Sequence, residues 1–217
     1  MRIFSIYLFT LVPVLGLGSV GCAENPADTR PAAKTQALNS KSAVNSSAKN
    51  AAPMSLGGDI IFVGSKVTGN HACKFTDWQG AAIPNGDNLE NLTLSFTVNM
   101  QGILADYQSP NAWSKKLEGH LKSDDFFGVE KHPTSTFVSS RIVASGKGAS
   151  AYEVTGLMTI KGVQKLISFP VSMENRKGQF KLNAEFSINR KDFNIAYAGK
   201  PDDLIRDDVL LKLSFNN

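Results

Sequence analysis

Apolar and polar residues alternate along most of the chain after residue 56, and this two-residue period is typical of β-strands with one buried face. The clearest run is formed by Phe180, Leu182, Ala184, Phe186 and Ile188, each separated from the next by a polar residue. The same period recurs in segments 92–100, 152–160, 167–171 and 209–215. In segment 59–67 both faces are apolar at first, so its register is left open. The pattern therefore predicts an all-β domain.

Residues 111–122 lack this alternation. Their sequence, NAWSKKLEGHLK, contains helix formers with a poor apolar stripe, which predicts one short helix. Seven or eight strands with one helix indicate a β-barrel or sandwich. Their sequential, hairpin-like order favours an eight-stranded antiparallel up-and-down β-barrel. A barrel of this size either fills with its own side chains or holds one small ligand, and the pattern alone leaves both open.

The N-terminal residues are typical of an export signal. Arg2 precedes an apolar run over 3–17, and small residues then lead to Cys22. The run is short for a membrane span and contains Pro13. Small residues before a cysteine resemble the bacterial lipobox, although Ser19 stands where leucine is usual. We therefore predict a lipoprotein-type signal peptide over 1–21 and a lipid on Cys22. A plain signal cleavage or an uncleaved anchor is the alternative.

Residues 22–55 differ from the rest of the chain in composition. After Cys22 they are mainly Ala, Ser, Asn, Lys and Pro, with no aromatic residue. Such a segment buries too little apolar surface to offset its ordering entropy. We expect a lipidated cysteine followed by a disordered tether over 22–55, and a barrel domain over 56–217. The expected location is the bacterial cell envelope, on its periplasmic or surface side.

Charge and cysteine content exclude several classes of function. Of the 23 basic and 19 acidic residues, 18 and 17 fall within 56–217, so the barrel domain has no basic excess for nucleic acid. The two cysteines form no C-x-x-C pair, which argues against a zinc ribbon. His71 and Cys73 share one strand face, but two ligands alone make a weak site, so we predict no metal.

Four segments together resemble the YceI-like polyisoprenoid-binding family. Residues 117–142 contain H-L-x-x-x-x-F-F and then P-x-x-x-F, and residues 152–162 are similar to the family's Y-x-V-x-G-x-L-T-I-x-G. The segments INRKDFNI and GKPDDLIRDDVLLKLSF complete the set, with Asn194 in place of the usual glycine. The resemblance covers about 160 residues, in the expected order.

The resemblance implies a lipocalin-like barrel that holds a long apolar molecule. The positions expected to line its interior are Phe62, Phe96, Val98, Phe126, Phe127, Phe137, Tyr152, Val154, Gly156, Met158, Ile160, Phe169, Phe186 and Ile188. The expected contacts of a ligand headgroup are Lys66, which replaces the family's histidine, together with His120 and Ser139. For His120, a hydrogen bond beside Asp124 and Asp125 is the favoured interpretation, and the headgroup contact is the alternative.

No constellation of catalytic residues supports an enzyme. The adjacent carboxylates, such as Asp124 and Asp125, do not converge on one bond, and no G-x-S-x-G is present. We therefore predict a non-enzymatic, envelope-tethered carrier, sequestrant or sensor of an isoprenoid or acyl lipid, without a cofactor. Its partners are the apolar ligand and the membrane, with a homodimer left open and no nucleic acid. The alternative is an interaction module whose barrel is filled by its own side chains.

Overall fold

The structure is a computed structural model that describes residues 23–37, 52–148 and 151–217. The predicted signal peptide over 1–21 and the predicted lipid on Cys22 lie outside these residues. Within the described ranges, no helix combines the length and the apolar character needed to cross a membrane.

Most described residues lie in β-strands, with one α-helix and short 3₁₀ helices. The strands are β1 (Lys34–Gln36), β2 (Met54–Lys66), β3 (Gly69–Phe75), β4 (Trp78–Ile83), β5 (Thr93–Asn99), β6 (Ile103–Ala105), β7 (Thr134–Ala144), β8 (Ala151–Ile160), β9 (Val163–Arg176), β10 (Gln179–Asn189), β11 (Gly199–Lys200), β12 (Asp203–Leu204) and β13 (Asp208–Asn216). The helices are α1 (Ala112–Lys122) and the 3₁₀ helices Pro26–Thr29, Leu89–Asn91, Met100–Gly102 and Arg190–Phe193.

The barrel is closed by eight antiparallel positions, which we call walls because two of them are each made of two consecutive strands. Strands β3 and β4 pair with successive parts of β2 and act as one wall, interrupted at 76–77, and β5 and β6 form another wall, interrupted by the 3₁₀ helix Met100–Gly102. Each wall then pairs with the next one in sequence through β7, β8, β9, β10 and β13, and β13 pairs back with β2. The predicted eight-stranded up-and-down barrel with one helix is therefore confirmed.

Helix α1 lies in the connection between β6 and β7. It begins at a capping box, in which the Asn111 side chain accepts hydrogen bonds from the backbone N–H groups of Trp113 and Ser114, and the Ser114 hydroxyl accepts one from the N–H of Asn111. Its buried residues are Ser114, Glu118 and Leu121. The Glu118 carboxylate accepts the N–H of Ala105 and so ties the helix to the end of β6. The helix therefore packs against one end of the barrel.

The two-residue period places the expected side chains inside the barrel. In β10, Phe180, Leu182, Ala184 and Phe186 are buried, whereas Lys181 and the other intervening residues up to Glu185 are exposed. A continuous aromatic stack crosses the interior, with centroid separations of 5.2 Å for Phe96–Phe137, 5.5 Å for Phe137–Phe169 and 4.0 Å for Phe169–Phe186. We call the part of the interior that this stack packs the filled half of the barrel, and the remaining part the cavity half.

The segment 23–37 packs against the strands of the barrel, contrary to the expected disorder. Strand β1 pairs with residues 166–168 of β9, beyond the region where β9 pairs with β10. On the other side, the N–H of Ala33 donates to the Ser187 carbonyl over 2.8 Å and the N–H of Ser187 donates to the Pro31 carbonyl over 3.0 Å. Strand β1 therefore fills a gap between β9 and β10.

Contacts earlier in the same segment hold it against β2 and β13. The Asn25 side-chain oxygen Oδ1 accepts hydrogen bonds from the Ala27 N–H and from the Ser65 hydroxyl, and Ala27 packs with Val63 and Leu210 on the outer face. For residues 23–37 the prediction of a disordered tether is wrong, because the barrel supplies the apolar surface and the open strand edge that the segment lacks by itself. The barrel also begins at Met54 rather than residue 56. Residues 38–51 lie outside the described ranges.

Candidate functional site

A cavity of about 130 Å³ lies inside the barrel, in the half that the aromatic stack leaves unfilled. Its walls come from the last part of β2, the first part of β7, the end of β8 and the beginning of β13, and α1 and the segment that follows it contribute Leu121, Phe126 and Phe127. Almost all of the lining is apolar. The full lining set is Ile60, Phe62, Gly64, Phe75, Phe96, Val98, Met100, Leu121, Phe126, Phe127, Ser135, Thr136, Met158, Thr159, Ile160, Ile188, Arg190, Phe193, Ile195, Ile205, Val209, Leu211 and Leu213.

Eight of the predicted interior residues lie on this cavity. They are Phe62, Phe96, Val98, Phe126, Phe127, Met158, Ile160 and Ile188. They come from five separate parts of the chain, and the closure of the barrel brings them together.

The other six predicted positions do not line the cavity. Phe137, Val154, Phe169 and Phe186 are buried in the filled half, where Tyr152 packs against them from a half-buried position. Gly156 lies beneath Phe137, whose Cζ atom would be 2.4 Å from a Cβ atom added at that position. Gly156, which was expected to line the ligand space, therefore adds nothing to the cavity, because the Phe137 ring occupies the space beside it.

The three predicted headgroup contacts have other partners. Lys66 forms an ion pair with Asp203, and Asp203 also accepts hydrogen bonds from Thr68. The Lys66 hydrogen bond lowers the pKa of the Asp203 carboxyl below its ordinary value, and so do the hydrogen bonds from Thr68. Lys66 therefore fastens the segment that carries β12 to the end of β2.

Ser139 and His120 also have structural roles. The Ser139 hydroxyl is buried and accepts the Leu94 N–H over 2.8 Å, next to a bulge in β7, so the prediction of a headgroup contact there is wrong. The His120 ring is hydrogen-bonded to Asp125 over 2.9 Å and meets the Phe126 ring edge to face at 5.0 Å. It supports a residue of the cavity wall from behind.

Aromatic side chains cover the cavity on the side of α1. The Phe127 ring meets Phe62 and Phe75 edge to face, with centroid separations of 5.8 and 6.4 Å. Phe126 packs between His120 and Tyr197. The segment that connects α1 to β7 therefore closes this part of the cavity with side chains rather than with a strand.

A buried arginine organises the adjoining part of the cover, formed by residues 190–207, whose Tyr197 contacts Phe126. The Arg190 guanidinium donates to the carbonyl oxygens of Arg206, Ile195 and Ile205 and to the Asp207 carboxylate, over 2.7–3.3 Å. Ile195 and Ile205 both line the cavity. Because these bonds satisfy backbone carbonyls of an irregular segment, Arg190 fixes the cover without presenting a free charge to the interior. The alternation of the sequence gave no signal for residues 190–207.

One polar atom on the cavity wall has no hydrogen-bond partner in the described part of the chain. The Ser135 hydroxyl is buried, and its residue pairs with Val98 of β5, which also lines the cavity. A lone hydroxyl among apolar groups can bond to a polar atom of a ligand.

The cavity size limits how much of a ligand the barrel encloses. An apolar cavity of about 150 Å³ holds one benzene ring, so 130 Å³ is space for about five or six carbon atoms. A longer chain therefore has to extend through the cover or move side chains. The interior is therefore partly hollow and partly packed.

His71 and Cys73, which the sequence offers as possible metal ligands, lie near β6. The Asp106 carboxylate accepts the Ser114 hydroxyl over 3.0 Å and is bonded to His71 Nδ1 over 2.9 Å, so the hydroxyl is not paired with the imidazole as in a hydrolase triad. Burial raises the pKa of the Cys73 thiol to about 12, which keeps it protonated. Among the described residues, no three His, Cys, Asp or Glu side chains are grouped as metal ligands.

Comparison with protein families gives one match over most of the chain. The profile of the YceI-like domain matches residues 39–216. A UPF0312 protein of Pectobacterium carotovorum is 28% identical over 127 residues, which cover 56% of this chain and 61% of the relative. A UPF0312 protein of Pseudomonas putida is 31% identical over 106 residues, covering 45% and 54%. The chain thus spans about three-fifths or less of the length of these relatives.

Solved structures share the fold at low sequence identity. BcnA of Burkholderia cenocepacia matches with a TM-score of 0.58 and 20% identity, over 73% of this chain and 96% of that one. A polyisoprenoid-binding domain from Saccharophagus degradans, implicated in plant cell wall breakdown, matches with a TM-score of 0.58 and 12% identity, over 77% and 98%. At these identities the likeness establishes the shared barrel fold.

Proposed function

The chain belongs to the YceI-like domain family, and from this membership and the half-hollow barrel we propose that it binds a long-chain apolar molecule of the polyisoprenoid or fatty-acyl type. The observation that carries the proposal is the cavity, which the protein's own side chains leave unfilled and which is lined almost wholly by apolar groups. The binding activity of the Saccharophagus degradans domain supports the same ligand class.

The affinity in this proposal comes from burial of the ligand chain. Each methylene group transferred from water contributes about 0.8 kcal/mol, so five or six enclosed carbons contribute up to roughly 4–5 kcal/mol before the entropic cost of binding. The Ser135 hydroxyl is the group that would recognise a polar atom on the enclosed part. The remainder of a longer chain, with any charged headgroup, stays outside the cover formed by Phe126 and Phe127.

In the proposed role the protein is a non-enzymatic carrier, sequestrant or sensor. It is exported and attached to a membrane of the bacterial envelope through a lipid on Cys22. Phe137, Phe169 and Phe186 pack the filled half of the barrel and form the floor of the cavity. Ligand exchange involves only the cavity half. An interaction module with a fully packed barrel is less well supported, because the packing of the interior stops at this floor.

The test uses two glycines that differ in their relation to the cavity. Gly64 lines the cavity and Gly69 does not, and a Cβ atom added at either glycine would meet no other atom within 4 Å. We expect Gly64→Leu to fill cavity volume and lower the fraction of protein carrying a ligand at least several-fold. Gly69→Leu, the matched control, should retain the ligand.

The readout is native mass spectrometry of protein purified from its own host, with fragmentation of the bound species. Melting temperatures of both variants check that the fold is retained. Absence of any bound apolar molecule from the parent protein, or equal occupancy in both variants, would count against the proposal.

A further inference from the structure

The described chain begins at one defined end of the barrel. The Ala23 N–H donates to the Val67 carbonyl over 3.1 Å, and Arg206 Nη2 donates to the Ala23 carbonyl over 2.7 Å. Val67 lies in the turn between β2 and β3, and its own N–H donates to the Leu204 carbonyl over 3.2 Å. Ala23 is therefore held directly on the barrel, and no flexible spacer separates it from this end.

Cys22 is the residue that precedes Ala23 in the sequence. Because successive Cα atoms are only about 3.8 Å apart, a lipid attached to Cys22 would enter the bilayer next to the turn at Val67. The anchor would then position the barrel as well as retain it at the membrane.

Two large apolar side chains are strongly exposed among the described residues, and both belong to this end. Leu204, 50% exposed, is bonded through its backbone to Val67. Trp113, 72% exposed, is in the first turn of α1, which Ser114 ties to Asp106. Asp106 in turn is bonded to His71, two residues after the start of β3.

The chemistry of these exposed groups suits a lipid surface. Lys116 lies over the Trp113 ring, 4.2 Å from its centroid, so an aromatic group and a cation are presented together. Tryptophan is enriched at the level of lipid headgroups, and lysine is attracted to anionic lipids. We define the membrane-facing end by Val67, Trp113 and Leu204.

We propose that this membrane-facing end rests on the bilayer to which Cys22 is anchored, with Trp113 and Leu204 in the lipid interface. Gly64 and Ile205, which line the cavity, are close in sequence to Val67 and Leu204. In this orientation the cavity would face the bilayer, so an apolar ligand would have only a short distance to travel between the two. This inference rests on the proposed ligand binding and lipidation, but it concerns the orientation of the barrel.

The two tryptophans of the chain allow a test without added labels. Trp78 packs against Phe215, which pairs with Gly58 of β2, eight residues before Lys66. At about 3.3 Å per residue, Trp78 is roughly 25 Å from the membrane-facing end. Trp78→Phe leaves Trp113 as the only reporter, and Trp113→Phe leaves Trp78 as the matched control.

The experiment reconstitutes each lipidated full chain in vesicles of phosphatidylethanolamine and phosphatidylglycerol whose acyl chains are brominated. We expect bromine to at least halve the emission of Trp113 relative to unbrominated vesicles and to leave the emission of Trp78 nearly unchanged. Cys22→Ala combined with Trp78→Phe, added to the same vesicles, should lose most of the quenching.

Three outcomes would overturn the orientation. The first is an intact mass that shows no acyl groups on the mature chain. The second is equal quenching of the two tryptophans. The third is Trp113 emission that depends on protein concentration in detergent rather than on lipid, as burial of Trp113 against a second copy of the chain would produce. Ligand occupancy of the soluble Cys22→Ala protein is measured separately. Retained occupancy with unquenched Trp113 would reject the orientation alone, whereas lost occupancy with quenched Trp113 would reject the ligand proposal alone.

Discussion

Gly156 leaves the space that the Phe137 ring needs in order to pack the filled half of the barrel. A Cβ atom added there would lie 2.4 Å from Phe137 Cζ and 2.5 Å from the Val138 carbonyl oxygen. The missing side chain allows the Phe137 ring to lie flat across β8 and to join the aromatic stack. At Gly64, by contrast, an added Cβ atom would meet nothing within 4 Å, so the absence of a side chain there adds to the cavity.

Gly156→Ala should therefore destabilise the protein, whereas Gly64→Ala should not. One of the close contacts is with backbone, so β7 and β8 have to separate, and overpacking of this kind costs about 1–3 kcal/mol. The measurement is the free energy of unfolding in urea. Equal free energies of unfolding for the two variants would show that the Phe137 ring and the neighbouring backbone move aside without destabilising the protein.

At the scale of elements, the segment 23–37 completes the barrel wall. The sequence predicted disorder because the segment lacks apolar residues, and by itself it has no core. The signal that it packs on the barrel lay elsewhere, in the two-sided apolar pattern of segment 59–67. Val63 faces outward there and is buried by Ala27, together with Leu210. The regular strands were predictable from their period, but the irregular segment 190–207 was not, because Arg190 organises it through bonds to backbone carbonyls.

Asn25→Ala should loosen this segment. The Asn25 side chain is buried, caps the 3₁₀ helix Pro26–Thr29 and accepts the Ser65 hydroxyl, so its loss should cost about 1–2 kcal/mol. Hydrogen exchange at the Ala33 and Ser187 amides, which connect β1 to β10, measures the effect. Thr29→Ala, which removes only an exposed side-chain bond, is the control. Unchanged protection in Asn25→Ala would mean that β1 is held independently of the preceding residues.

At the scale of the whole molecule, the barrel interior is divided between a packed half and the cavity in which we propose that the ligand binds. The fold and the inward face of each strand were predictable, because a period of two assigns each strand residue to the inside or the outside. Eight of the fourteen expected interior positions line the cavity, and two of these, Phe126 and Phe127, lie outside the strands and were expected from the family resemblance alone. The division along the barrel axis was not predictable. A buried phenylalanine in the floor and one in the cavity wall have the same sequence pattern, and only the three-dimensional arrangement of Phe137, Phe169 and Phe186 separates them.

The central claim is that an apolar ligand occupies the cavity half while the packed half stays unchanged. The methionines provide internal reporters, since Met100 and Met158 line the cavity and the buried Met173 lies outside it. We propose a titration with a long-chain isoprenoid alcohol, followed by NMR of ¹³C-labelled methionine methyl groups. We expect saturable shifts for Met100 and Met158 and little change for Met173. Shifts of equal size at all three methyl groups, or none at any of them, would contradict it.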